Sequence, residues 1–319
     1  MPRVSVIIPT YNCAQFIGRA IHSVFAQTYV DYEVIVVDDG STDETKEVIA
    51  QWDRKITYLS QSNRGVSAAR NYAISRATGE FLAYLDADDK WYPRKLELCV
   101  DHLDFHLQCG FVHSEITVVD ENDLVIFERF NLETERPAPY GACIIDLLKN
   151  SHIETSSVVE RRRCFEETGG FNESLRSIED YLHWIEIAAN NQAIGYIDEP
   201  LAYYRRRKGS LSTQRANMAE SMLQMLHLLL NERRLLEKCG SQAEAIVRDR
   251  LNAIGRTLPY LYRKNGQSNL ARQWALALIR KSPGELILYW ELLKSLAASS
   301  LLGRVKRFCQ DVSFDKSRP

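Results

Sequence analysis

Three acids fall within four residues in "FLAYLDADDKWYP", where Asp86, Asp88 and Asp89 close an apolar run and precede aromatics and a proline. Carboxylates this close repel one another unless a cation sits between them. A single Asp would be an ordinary cap, and a following helix welcomes acids in its first turn. Three acids set a divalent metal beside that cap reading, because Mg²⁺ and Mn²⁺ prefer hard oxygen ligands, and the spacing alone does not choose between the two. Other residues could complete such a site. Arg70 in "NRGVSAARN" carries a permanent positive charge, Asp39 in "VVDDGS" can accept a hydrogen bond from a nucleobase N–H, and Tyr11 in "PTYN" can stack on that base. There is no GxGxxG after the first strand and no GxxxxGK[ST] anywhere, which removes the usual dinucleotide and P-loop readings. Any phosphate must then be held by a metal and basic side chains.

The elements that must position these groups read as βαβ units. "VSVII", "EVIVV", "ITYLS" and "FLAYL" are short apolar strands, alternating with helical "FIGRAIHSVFAQ", "DETKEVIAQW" and "GVSAARNYAISRA". Ser41 or Thr42 is placed to cap the second helix. This alternation predicts an α/β fold with a mainly parallel sheet covered by helices, and ligands in such sheets bind beyond the carboxyl ends of the strands. "PTYN", "DDGS" and "DADD" are three such ends, so they converge on one rim. Further on, "CGFVHSEITVVD" reads as strand, "ENDLVIFERF" as a hairpin return, "EDYLHWIEIAANN" as helix and "AIGYIDEPLAYYRRR" as a closing strand. After Ser210 the pattern is helical. "NGQSNLARQWALALIRKSP" resembles one tetratricopeptide unit, but one unit is not an array.

At 319 residues the chain exceeds one typical domain, and the expected division is 1–212 and a helical 213–319. Hydrophobic residues at 45% and charged residues at 26% are ordinary for a soluble globular protein. The seven cysteines have no CxxC pairing, which argues against zinc or a disulfide framework and suits a reducing cytosol. No signal peptide or bilayer-spanning run is expected. A net charge of −2 conceals an asymmetry: residues 1–204 carry 18 Lys and Arg against 33 Asp and Glu, residues 205–319 carry 22 against 9. The basic half could face anionic lipid, nucleic acid or the acidic half itself; no nucleic-acid partner is expected.

Taken in order, "VSVIIPTYN", "VVDDGSTDET", "NRGVSAARN", "GEFLAYLDADD", "GGFNESL" and "EDYLHW" resemble the family 2 glycosyltransferases of GT-A fold, over roughly residues 3–212. The resemblance implies an inverting enzyme that moves a sugar from a nucleotide diphosphate, most often UDP, to an acceptor hydroxyl. It implies a divalent metal cofactor, Mn²⁺ or Mg²⁺, and surface glycan synthesis on a saccharide or lipid-linked saccharide at the cytoplasmic face. Carried over by position, Pro9, Tyr11 and Asp39 would hold the base and Arg70 the diphosphate or ribose. Asp88 would bind the metal directly, with Asp86 on the ribose or a metal-bound water, and Asp180 in "SIEDYLHW" matches the catalytic base. Members often close on a YRxHxGSLS-like segment whose His approaches the diphosphate. Here "YRRRKGSLS" puts Arg207 in its place. Arginine can also hold phosphate oxygens and cannot lose its charge.

Plainer readings accompany each residue. Asp39 can cap a helix, Tyr11 can pack on the rim, Pro9 can end a strand, Arg70 can pair on a helix surface, and Glu179 with Asp180 can be first-turn acids. Arg207 can belong to a solvated basic face, the run at 161–163 has no assigned role, and Trp184 reads as core. "LYWELLKSLAASSLLGRVKRF" can lie on an anionic bilayer as an amphipathic helix or be an ordinary packing helix. A non-catalytic nucleotide-sugar-binding or membrane-assembly module is the rival from another class. A nucleotidyltransferase would want a glycine-rich basic loop that "PTYNCAQF" lacks.

Overall fold

Runs of valine and isoleucine, apolar on both faces, set the first strands. The computed structural model describes residues 1–52, 55–149, 153–207, 210, 215–281, 284 and 286–296. Its first part alternates β1 (Val4–Thr10), α1 (Ala14–Phe25), β2 (Tyr32–Asp38), α2 (Thr45–Ala50), β3 (Thr57–Ser60), α3 (Val66–Ile74) and β4 (Phe81–Tyr84). Every residue of β1 and β4 is buried, as parallel strands covered on both faces require. The chain continues through β5 (Lys90–Trp91), α4 (Lys95–Phe105), β6 (Cys109–Val119), β7 (Val125–Phe127), α5 (Phe130–Glu133) and α6 (Ile144–Lys149). A 3-10 turn (Thr155–Ser157), β8 (Val159–Arg161), α7 (Arg162–Thr168), α8 (Glu179–Ala189) and β9 (Ala193–Arg205) follow.

One nine-stranded sheet results, ordered β3-β2-β1-β4-β8-β6-β9-β5 with β7 beside β6. The first four strands are mutually parallel. β8 runs antiparallel to both β4 and β6, while β9 returns parallel to β6. The order reverses between β1 and β4, which leaves a crevice at their carboxyl ends. Pro9 sits at that crevice without breaking the sheet. Ile7 O accepts Leu85 N at 3.0 Å, so residue 9 faces the β4 side too, where the ladder has already ended at Ile7↔Tyr84. The missing proline N–H therefore costs no strand bond, and pairing with β2 runs on to Thr10↔Asp38.

The expected cap by Ser41 or Thr42 is not made. α2 begins at Thr45 with no side-chain cap, and both residues instead serve the neighbouring loop. Asn12 N donates to Ser41 Oγ at 2.9 Å, and Asn12 Oδ1 accepts Thr42 N at 2.8 Å. Asn12 has a left-handed φ of 48°, and these bonds satisfy the polar backbone that follows β1.

The rest is helical: α9 (Arg215–Asn231), α10 (Arg233–Lys238), α11 (Ala243–Lys264), α12 (Ser268–Lys281) and α13 (Leu286–Leu296). These helices do not build a core wholly of their own. Met225, Leu226, Leu229, Leu236 and Val247 join the same buried cluster as Ile7, Leu147 and Trp184. A smaller cluster around Leu223, Leu258 and Tyr262 is theirs alone. Trp184 lies in the core, 1% exposed, against Tyr84 and Phe111. The basic run at 161–163 donates to the backbone carbonyls of Cys109, Gly79 and Leu107. No helix among the described residues is long and apolar enough to cross a membrane. The tail beyond 296 and most of "KGSLS" lie outside the described residues.

Candidate active site

The three acids after β4 do not behave alike. Asp89 turns inward and is 3% exposed; its Oδ2 accepts Ser156 Oγ at 2.6 Å and its Oδ1 accepts Arg205 N at 2.8 Å. Burial, with the charges of Asp88 and Asp86 behind it, pushes its carboxyl well above the usual carboxylate range. Asp86 and Asp88 stay at the crevice and each meets an arginine: Arg70 Nη2 donates to Asp86 Oδ1 at 2.8 Å, and Arg207 Nε to Asp88 Oδ2 at 2.6 Å. The repulsion implicit in the sequence is thus relieved by turning one acid inward onto two hydrogen-bond donors and by setting a guanidinium against each of the other two.

The 3-10 turn joins this loop to α8. Ser156 Oγ accepts Asp86 N at 3.1 Å as well as bonding Asp89, and the preceding Thr155 donates Oγ1–H to Asp180 Oδ2 at 2.6 Å. Residues just after the acids hold the turn from behind. Trp91 Nε1 donates to Ser156 O at 2.7 Å, and the fully buried Lys95 donates Nζ–H to Ser157 O at 3.1 Å. A second tie runs through Arg70, 2% exposed, which spans Asp86 and Glu179 and lies 5.3 Å from the Phe171 ring. Burial raises the Glu179 carboxyl, and Arg70 opposes the shift. Asn71 fixes the "GGF" loop to α3 by bonding both the N–H and the C=O of Phe171, at 3.0 and 2.8 Å.

Asp180 sits in the first turn of α8, where Oδ1 accepts Tyr181 N at 2.7 Å. The helix is entered through Ile178 at φ 59°, ψ 19°, a left-handed conformation that a β-branched side chain resists. Such strain, of order 1–3 kcal/mol, persists where the surroundings over-determine it. Here the start of α8 is held by Thr155 on Asp180 and Arg70 on Glu179. Glu154 belongs to the same neighbourhood: burial, then the charges of Asp180 and Asp86, push its carboxyl up to about 8.

On the β2 side, Asp39 is 4% exposed and holds the loop at 61–65: Oδ1 accepts Gln61 Nε2 at 2.7 Å and Arg64 N at 2.9 Å, and Oδ2 accepts Gly65 N at 2.8 Å. That leaves one Oδ2 lone pair for any further donor. Tyr11 projects from the end of β1, 47% exposed. The fold therefore gathers Pro9, Tyr11, Asp39, Arg70, Asp86, Asp88, Asp180 and Arg207 at one end of the sheet.

The profile of glycosyl transferase family 2 matches residues 5–156. A putative teichuronic acid biosynthesis glycosyltransferase of Bacillus subtilis is 31% identical over 227 residues, which span 69% of this chain and 85% of that protein. The chain belongs to glycosyl transferase family 2. A mannosyltransferase from Pyrobaculum calidifontis, solved with GDP-Man and Mn²⁺, covers 99% of this family 2 chain and 88% of its own at TM-score 0.61 and 19% identity. S. aureus TarS 1–349, solved with UDP-GlcNAc, covers 89% and 92% at TM-score 0.57 and 20% identity. The fold is GT-A, and this family 2 protein is a glycosyltransferase.

Whether its acids suit a metal can be read from their free oxygens. No described residue donates to Asp86 Oδ2 or Asp88 Oδ1, and these two hard oxygens stay at the crevice. Among the described residues no group of three or more His, Cys, Asp or Glu could hold an ion alone. Mg²⁺ ordinarily takes only one or two carboxylates and completes its shell with water and substrate phosphates, so the donor set fits. Sequence reasoning missed Glu154, Thr155, Ser156, Trp91 and Lys95, and read Glu179 only as a first-turn acid. Hydroxyls in an irregular turn carry no periodic signal, and a lysine in "PRKLEL" reads as solvated.

Proposed function

We propose that this glycosyltransferase inverts the anomeric centre, moving a sugar from a nucleoside diphosphate, with UDP the favoured nucleotide, to a hydroxyl of a saccharide or lipid-linked saccharide in surface glycan synthesis. The observation that carries the reading is the joint anchorage of the DADD loop and Asp180 by consecutive hydroxyls, Ser156 and Thr155. Asp180 is the base: it takes the acceptor's proton as the new bond forms, on the face opposite the leaving group. Thr155 Oγ1–H and Tyr181 N–H fix which lone pairs it presents. Arg70 acts as a positioning residue, holding Asp86 and Glu179 rather than the phosphates. Tyr11 and the rim beside Pro9 receive the base, and Asp39 accepts from it with its remaining lone pair while shaping the loop at 61–65.

Asp86 and Asp88 would hold a divalent Mn²⁺ or Mg²⁺, which when bound neutralises charge on the departing diphosphate. Arg207 places a permanent positive charge beside the same phosphates. Support for UDP and for a metal comes from relatives of the same fold solved with UDP-GlcNAc, or with GDP-Man and Mn²⁺. The catalytic unit is 1–212, and in the remainder, 213–319, the helices from α9 on dock the acceptor's surroundings. On α13, Ile287, Trp290, Leu293 and Leu296 are exposed along one face, with Lys294 Nζ 5.0 Å from the Trp290 ring centre. That face would rest on anionic lipid at the cytoplasmic side of the membrane. A thermal-shift panel of nucleotide sugars with Mn²⁺ tests the donor reading: one UDP-sugar should raise the melting temperature in the metal's presence, and indifference to every nucleotide would refute it.

A further inference from the structure

Alternate residues at the end of β9 address the DADD loop in two ways. Arg205, 2% exposed, is fixed on every side: its N–H to Asp89 Oδ1, Nε to Asp88 O and Nη1 to Asp120 O, all at 2.8 Å, and Nη2 to Asp123 Oδ1 at 2.7 Å. Arg207 meets the side chain of Asp88 through Nε and keeps 29% of its own side chain in solvent. The Phe16 ring lies 5.1 Å from the first guanidinium and 5.6 Å from the second. The first arginine is a strut. The side chain of the second makes one hydrogen bond among the described residues, and it is to the carboxylate that the proposed reaction gives to the metal.

We propose that Arg207 is an internal counter-ion of Asp88, which a divalent cation displaces only when a nucleoside diphosphate draws the guanidinium away. The inference rests on the reading of Asp88 as a metal ligand. The contact at 2.6 Å is a charge-assisted hydrogen bond, and partial burial keeps salt from screening it. A dication arriving at Asp88 Oδ1 meets a guanidinium that cannot release a proton to accommodate it. A diphosphate changes the balance, because its oxygens match the planar fork of Arg207 and its charge attracts both cations. Nucleotide and metal then bind cooperatively, and linkage requires each to strengthen the other by the same factor. A histidine in this place, neutral near pH 7, would impose no such order.

The test is an Mn²⁺ titration of the full chain followed by electron paramagnetic resonance, alone and with UDP or GDP. It compares the wild type with Arg207→Ala, Arg207→Gln and Asp88→Asn. Without nucleotide, both Arg207 variants should bind Mn²⁺ at least about 10-fold more tightly than wild type, and nucleotide should strengthen wild type by about 10-fold more than it strengthens the variants, in which ligation by the phosphates alone remains. Should the alanine variant fold poorly, Arg207→Gln removes the charge and keeps an N–H donor at the Nε position. Equal nucleotide-free affinities in wild type and both variants overturn the counter-ion role; weaker binding by Asp88→Asn with nucleotide would then still leave the metal ligand standing. Absence of Mn²⁺ binding by wild type with either nucleotide overturns both.

Discussion

Glu154 is one of three carboxyls, with Glu179 and Glu186, that burial raises into the neutral range. Burial and the charges of Asp180 and Asp86 raise its carboxyl from 4.5 to about 8. The folded chain therefore holds this proton more tightly than the unfolded chain. Its contribution to stability is complete below pH 4.5 and is lost as the pH rises through 8. The donor-free protein should melt at progressively lower temperature from pH 5 to 8.5, and Glu154→Gln should flatten that decline. A variant that tracks wild type across the range would remove Glu154 from the account. Arg70 gives a second prediction. Replacing it with Met strands the buried Glu179 and should cost about 3–5 kcal/mol in urea unfolding; a loss under about 1 kcal/mol, typical of an exposed ion pair, would contradict its bridging role. At this scale the sequence was half legible. Asp86, Asp88 and Asp180 stand out as acids beside apolar runs, whereas the burial of Arg70 depends on Phe171 and Glu179, a hundred residues away in the chain.

The element that organises the site is also the least regular one. The carbonyls of the turn Thr155–Ser157 accept from Trp91 and Lys95, and its hydroxyls accept from Asp86 N and donate to Asp89 and Asp180. Ser156→Ala leaves the buried Asp89 one donor short and should destabilise the fold by about 1–3 kcal/mol. It should also lower kcat/KM more than an equally destabilising change in α12 does; equal losses would reduce the turn to a structural feature. The regular elements were open to sequence reading because their periods are long-lived: "VSVII", "EVIVV" and "FLAYL" became β1, β2 and β4, and the helical tail became α9 to α13. Capping of α2 was misjudged because Ser41 and Thr42 answer to Asn12 in the loop after the neighbouring β1, a contact absent from local pattern.

Across the whole molecule, acids cluster before residue 205 and bases after it, and α13 turns an apolar face with an exposed Trp290 outward. If that face meets anionic lipid, the protein should sediment with phosphatidylglycerol vesicles and not with phosphatidylcholine vesicles. Leu293→Asp should weaken the association, and wild-type indifference to lipid charge would discard it. The domain division was harder to read than the tail's helicity, since α9 and α10 bury Met225, Leu226 and Leu236 against the sheet's own core. The central claim joins distant parts of the chain: the crevice acids grip an activated sugar while the first turn of α8 deprotonates its attacker. Comparing sugar transfer with donor binding in Asp180→Asn tests this most directly. Transfer should fall by about 10²–10⁴-fold, with affinity for the nucleotide sugar within a few-fold of wild type. Transfer at the wild-type rate would contradict the account.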